Sequence, residues 1–144
     1  MKTIFWNTDT QKDFINKDGK LYIQGAEAIK SNLKKITSYA KKNKIKVVST
    51  GDYHTIVSKE ISKFPDFKAT FPEHCMVGTE GMDFIPETDS TKWKEDNYIL
   101  IDYTLKKFPM EDISRSRNII LYKDHFNIFD EFAGNPWALN TLLV

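Results

Sequence analysis

One cysteine, Cys75, is all that the 144 residues contain, so no internal disulfide can form, and this scarcity suits a reducing compartment. Charge of one sign is missing too: 21 Lys and Arg stand against 20 Asp and Glu. That balance leaves no basic footprint for nucleic acid and no polybasic patch for a membrane surface. No apolar run approaches the length of roughly 20 residues that spans a bilayer. The opening stretch MKTIFWNTDTQKDF turns polar after five residues, too soon for a signal-peptide core. Internal repeats, low-complexity tracts and interdomain linkers are also lacking. What remains is the expectation of one cytoplasmic domain over residues 1–144, with 40% hydrophobic residues to build its core.

The hydrophobic pattern then predicts the elements. Residues 3–8 (TIFWNT) are β-rich and deliver Asp9 at their end. Between 26 and 42, apolar residues recur at Ala26, Ile29, Leu33, Ile36 and Ala40, one face of a helix whose lysines form the solvated side. Asn43 stops it, and residues 45–49 (IKVVS) read as a second, buried strand. Strand, helix and strand with short links make a βαβ unit, so a parallel sheet is expected. Residues 55–97 break into Pro, Gly, Ser and charged residues, and so long a loop in a compact domain is functional or held in place. Residues 98–103 (YILIDY) suit a short strand or half of a hairpin, and 118–122 (NIILY) a clearer strand that delivers Lys123. Asn135-Pro136 opens a last helical pattern carrying Trp137, Leu139, Leu142 and Leu143.

Chemistry collects where these strands end. Gly51-Asp52-Tyr53-His54 follows the second strand, and residues two apart in extended chain share a face, so Asp52 and His54 can converge on one ion. His74 lies about twenty residues on, within the long loop, which a metal could pin. Asp with two His is a ligand set for Zn, Mn or Fe that leaves positions open for water or substrate. Taken singly, Asp9 reads as a cap or turn former and Lys123 as a surface lysine. Together, Asp9, Asp52 and Lys123 place two acids and a cation along the edge of an α/β sheet where ligands bind.

The motifs Asp9-Thr10-Gln11-Lys12-Asp13-Phe14, Tyr22-Ile23-Gln24-Gly25-Ala26, Gly51-Asp52-Tyr53-His54, FPEHCMVGTEG over residues 71–81 and Tyr122-Lys123-Asp124 occur in order along the chain. In them the chain resembles the N-terminal two-thirds of the isochorismatase-like cysteine hydrolase superfamily, in its metal-containing nicotinamidase/pyrazinamidase branch. The resemblance implies a three-layer α/β/α fold with a six-stranded parallel sheet, and a role for each matching residue. Asp9 would be the general base for a nucleophilic cysteine, with Lys123 the cation beside them. Asp52, His54 and His74 would hold a divalent metal: zinc, with manganese and iron as alternatives. Glu60 stands where some relatives supply a further ligand, directly or through water. Phe14 would wall the substrate ring. The implied reaction, within NAD salvage, converts nicotinamide or a related small amide to the acid and ammonia through a thioester.

The family's nucleophilic cysteine opens the helix after the fourth strand, and this sequence does not contain it. Cys75 matches instead the family's His-Cys pair, in which the cysteine is not the nucleophile. The expectation is therefore a domain incomplete at its C-terminus, with part of the sheet missing and the first strand bared as an edge. Either the polypeptide is incomplete relative to its gene, or, as the less favoured expectation, a homo-oligomer or another chain completes the sheet. Two alternatives stay open: a non-catalytic metal-binding relative, and an isochorismatase acting on a vinyl ether, a branch that generally lacks the metal triad.

Overall fold

The computed structural model describes residues 3–104 and 110–128. Its centre is a parallel sheet of four strands, β1 (Ile4–Thr8), β2 (Lys46–Asp52), β3 (Tyr98–Ile101) and β4 (Asn118–Lys123), in the order β1-β2-β4-β3. β2 and β4 occupy the middle, and their side chains are almost all buried. Both read as near-continuous apolar runs because a parallel sheet is covered on its two faces. The expected second strand runs three residues further, to Asp52, because β4 pairs with it as far as Asp52↔Lys123. The stretch read as strand or hairpin is a strand, paired in parallel with β4 and joined to it through α3 (Met110–Arg115).

Alternation along β4 divides the core. Ile119 and Leu121 face one side with Val48, Ile101, Ile113 of α3 and Ile128, while Ile120 and Tyr122 face the other with Phe84. On the flank of β1, Phe5 stacks on Tyr39 of helix α2 (Lys30–Lys42). The chain enters this helix through a turn of 3-10 helix at Ala26–Ile29, behind Gly25 in the left-handed region at φ 87°. It leaves at Asn43, whose Nδ2 donates to the Tyr39 carbonyl over 2.9 Å, with Lys41 and Lys42 against the negative helix end. The apolar face foreseen for it is only partly covered. Ala40 is buried, and Leu33 packs on the cluster of Phe14, Ile15, Cys75 and Ile85, but Ile29 and Ile36 remain exposed. β1 is an edge among the described residues, half open along its length.

The long loop after β2 is held mostly by the protein itself. Phe84 and Ile85 are buried in two different clusters. Isolated bridges tie His54 to Met76, Ile61 to Phe71 and Gln11 to Phe84. A short helix, α1 (Lys12–Ile15), absent from the sequence reading, turns the DTQKDF motif inward and buries Asp13, Phe14 and Ile15. Four residues give too weak a period to detect. The helical pattern that opens at Asn135-Pro136 lies outside the described residues.

Ile119 has no exposed surface and lies in the larger apolar cluster. Ile119→Ala should therefore lower the unfolding free energy in urea by about 3 kcal/mol. Ile56→Ala, at a position 84% exposed, should change it by no more than about 0.5 kcal/mol.

Candidate metal centre

Three strand ends supply the charges. Asp9 follows β1, with its backbone N–H donating to the Thr50 carbonyl over 3.1 Å and φ at 47°. Asp52 and Lys123 close β2 and β4 and are register partners. Lys123, almost wholly buried, donates to Oδ1 of Asp52, and its Nζ lies 3.2 Å from Oδ2 of Asp9. Thr50 Oγ1 donates to the other Asp9 oxygen at 2.7 Å. A buried ammonium thus bridges the buried Asp52 carboxylate and the half-buried one of Asp9, the arrangement that makes burial of Lys123 and Asp52 tolerable.

The second oxygen of Asp52 faces the imidazoles. Oδ2 is 3.6 Å from His54 Nε2 and 3.4 Å from His74 Nε2, and one ligand atom from each of the three residues lies within 4.8 Å of the others. Both rings are fixed from behind. His74 Nδ1–H donates to the Pro72 carbonyl over 2.7 Å, and His54 Nδ1–H to Asp124 over 3.0 Å. Ser58 Oγ donates to the same Asp124 oxygen. A carbonyl can only accept, so the Nε2 lone pair of His74 turns to the cluster; Asp124 selects the same tautomer of neutral His54. His54 Nε2 is buried without a hydrogen-bond partner. A divalent cation answers that orphaned acceptor and suits a carboxylate with two imidazoles, so these residues fit one.

The same contacts set the proton affinities. Burial would raise the Asp52 carboxyl, yet the two imidazoles and Lys123 outweigh it and hold the group well below the usual carboxylate range. Asp9 moves the other way: burial pushes its carboxyl up, with Lys123 only partly opposing. Lys123 loses hydration on burial but is held protonated above its ordinary value by Asp52 and Asp9. Burial, with Asp52, Asp13 and Asp9 nearby, pushes the Cys75 thiol up. Such a thiol yields no thiolate at neutral pH, which agrees with reading Cys75 as no nucleophile.

Of the residues singled out from the sequence, Asp9, Lys123, Asp52, His54 and His74 meet here. Phe14 joins them, its ring centroid 5.4 Å from that of His74. Glu60 does not: its Oε1 accepts the Phe126 N–H over 2.6 Å, outside the three-residue cluster. Three residues, Gln11, Asp124 and Ser58, hold positions that sequence reasoning did not assign. Gln11 is fully buried, its Oε1 accepting the Asp52 N–H at 2.6 Å while its Nε2 donates to the Asp52 carbonyl at 2.7 Å. Asp124 stands behind His54; its place just past a strand end, like that of Asp9, was the available signal. Nothing in the sequence marks Ser58.

Without a cation, burial disfavours charge on His54, but Asp52 and Asp124 outweigh it and raise its pKa. A cation must then displace a proton, so below that raised pKa its affinity should fall about tenfold per pH unit. Competition against a chromophoric chelator between pH 5 and 8 reads this; a flat profile would remove His54 from the ligand set.

No family model matches the sequence. Over 87 residues the chain is 34% identical to the nicotinamidase/pyrazinamidase of Mycobacterium tuberculosis (strain ATCC 25618 / H37Rv), a match covering 58% of this chain and 44% of that protein. The nicotinamidase/pyrazinamidase of Bacillus subtilis superposes with a TM-score of 0.59 at 20% identity, covering 90% of this chain and 60% of that one. An isochorismatase-like hydrolase from Alkaliphilus metalliredigens gives 0.53 at 23% identity, covering 86% and 53%. The chain therefore spans less than half the length of the curated relative and up to about 60% of these solved structures. Its fold is that of the isochorismatase-like hydrolases, and over 87 residues its sequence is similar to a nicotinamidase/pyrazinamidase.

Proposed function

We propose that these residues form the metal-binding and proton-transferring part of a nicotinamidase-type amidohydrolase, which converts nicotinamide and water to nicotinic acid and ammonia. The observation that carries this reading is the convergence of half-buried Asp9 with buried Lys123, Asp52, His54 and His74 at the carboxyl end of the sheet. Asp52, His54 and His74 hold the metal, with zinc the proposed ion. Bound there, it supplies a Lewis-acidic contact that orients the pyridine nitrogen of the substrate and orders water. Glu60, engaged with Phe126, is left out of the proposed ligand set. Phe14 presents its ring beside His74 as a wall for the pyridine.

Asp9 takes the proton of a cysteine thiol. The thiolate attacks the carboxamide carbon, forming a C–S bond and an oxyanion. Collapse breaks the C–N bond as Asp9 returns the proton to the leaving nitrogen, releasing ammonia and leaving a thioester. Water then adds to the thioester carbon while Asp9 accepts its proton; collapse breaks the C–S bond, Asp9 returns that proton to the sulfur, and the acid is released. A carboxyl raised by burial is suited to this exchange, because its pKa lies closer to working pH than that of an exposed aspartate. Lys123 favours the thiolate by its charge. Buried and held protonated, Cys75 is left out of the proposed chemistry, which requires a thiol that these 144 residues do not otherwise contain. That requirement also supports a second reading, a metal-binding relative without turnover.

The 144-residue chain alone should release no ammonia from nicotinamide; release would return Cys75 to candidacy. The protein as its gene encodes it should release ammonia, and Asp9→Asn should lower kcat by about 10³-fold with little change in nicotinamide Kd. Stoichiometric metal without ammonia release from the encoded protein would favour the second reading.

A further inference from the structure

Asp13 is a buried acid that the proposed chemistry leaves unused, yet three segments close on it. Its Oδ1 accepts the Lys20 N–H at 3.1 Å, and its Oδ2 accepts the Cys75 N–H at 2.7 Å. Its own carbonyl accepts the Leu21 N–H at 3.2 Å. Two glycines make room for it. A Cβ on Gly81 would lie 2.1 Å from Oδ2 of Asp13, and one on Gly19 would lie 2.3 Å from its carbonyl oxygen.

The peptide that Asp13 grips is the one joining His74 to Cys75. Cys75 sits in the left-handed region at φ 44°, a conformation that costs a non-glycine residue free energy and needs fixed surroundings. Immediately beyond, the Cys75 carbonyl accepts the His54 N–H at 3.2 Å, and Val77 N–H donates to the His54 carbonyl at 2.9 Å. The backbones of the two histidines are therefore tied through the residue that Asp13 holds. Pro72 fixes the His74 ring and Phe14 of α1 packs on it, while among the described residues the Asp13 carboxylate supplies the hydrogen bonds that tie this turn to α1 and to the loop at Lys20.

We propose that Asp13 is a positioning residue for the metal centre, setting the separation of the two imidazoles by clamping the His74–Cys75 peptide. This rests on reading Asp52, His54 and His74 as metal ligands. An asparagine in its place offers one acceptor where two N–H groups converge and turns its own N–H₂ toward the other. The clamp opens on one side. Gly81→Ala reaches the same end without altering charge, because the added methyl displaces the carboxylate.

The test is zinc affinity of the full chain by chelator competition, with cobalt(II) absorption reporting ligand geometry and metal-free melting recorded alongside. Asp13→Asn and Gly81→Ala should each weaken zinc by about 10- to 100-fold and alter the cobalt spectrum. Charge loss alone would weaken binding in Asp13→Asn but not in Gly81→Ala, and that pattern would overturn the clamp. So would unchanged affinity and spectrum with only the melting temperature lowered. Should either variant fail to fold, amide exchange in the unaltered chain decides: zinc should slow the Lys20 N–H together with that of Cys75, and slowing at Cys75 alone refutes the inference. If the unaltered chain takes up no metal, the metal centre itself falls, an outcome distinct from unaltered affinity in the variants.

Discussion

The buried Asp52 carboxylate is the constraint on which the rest of the structure depends. One oxygen receives Lys123 and the other faces His54 and His74, while the backbone on both sides of it is held by Gln11. A charge taken so far from water must find compensation on every side. The compensating groups come from four places along the chain: Gln11 from the motif after β1, His54 from just past β2, His74 from the long loop and Lys123 from the end of β4. The centre is therefore also where distant segments are fastened together, and removing one partner from such a network costs several kcal/mol, about 3–5 for a buried pair.

Parallel topology is what makes the gathering possible. Strands running in one direction bring their carboxyl ends to one edge, so Asp9, Asp52 and Lys123 come together although far apart in sequence. The same topology covers β2 and β4 on both faces, keeping water away from the base of the site. Low local polarity strengthens each electrostatic contact and makes each unsatisfied group more costly. That is why the lone buried Nε2 of His54 is informative where an exposed one would not be.

The histidines belong to a harder architectural problem. His54 leaves the end of a strand, which orients it, but His74 lies in a loop with little regular structure. The loop is nonetheless ordered by Phe84 and Ile85 in the core, by backbone bridges to His54 and Phe71, and by Asp13 beneath the His74–Cys75 peptide. Rigid support of this kind fixes the imidazole of a loop residue as a mobile loop could not.

The sequence by itself determined the strands, the parallel sheet and most of the site. Apolar runs of strand length were bounded by turn residues, and Asp52 and His54, two apart in extended chain, had to point the same way. The motifs carried Asp9, Phe14, His74 and Lys123 with them. Tertiary structure alone decided what long-range contact controls. It extended β2 to Asp52 through pairing with β4, set Asp124 and Ser58 behind His54, and engaged Glu60 with the Phe126 backbone instead of the cluster. It also buried Asp13 and Gln11 as supports. Periodicity reports which face of an element is apolar; it is silent on which loop returns to meet that face, because that depends on packing among residues far apart in the chain.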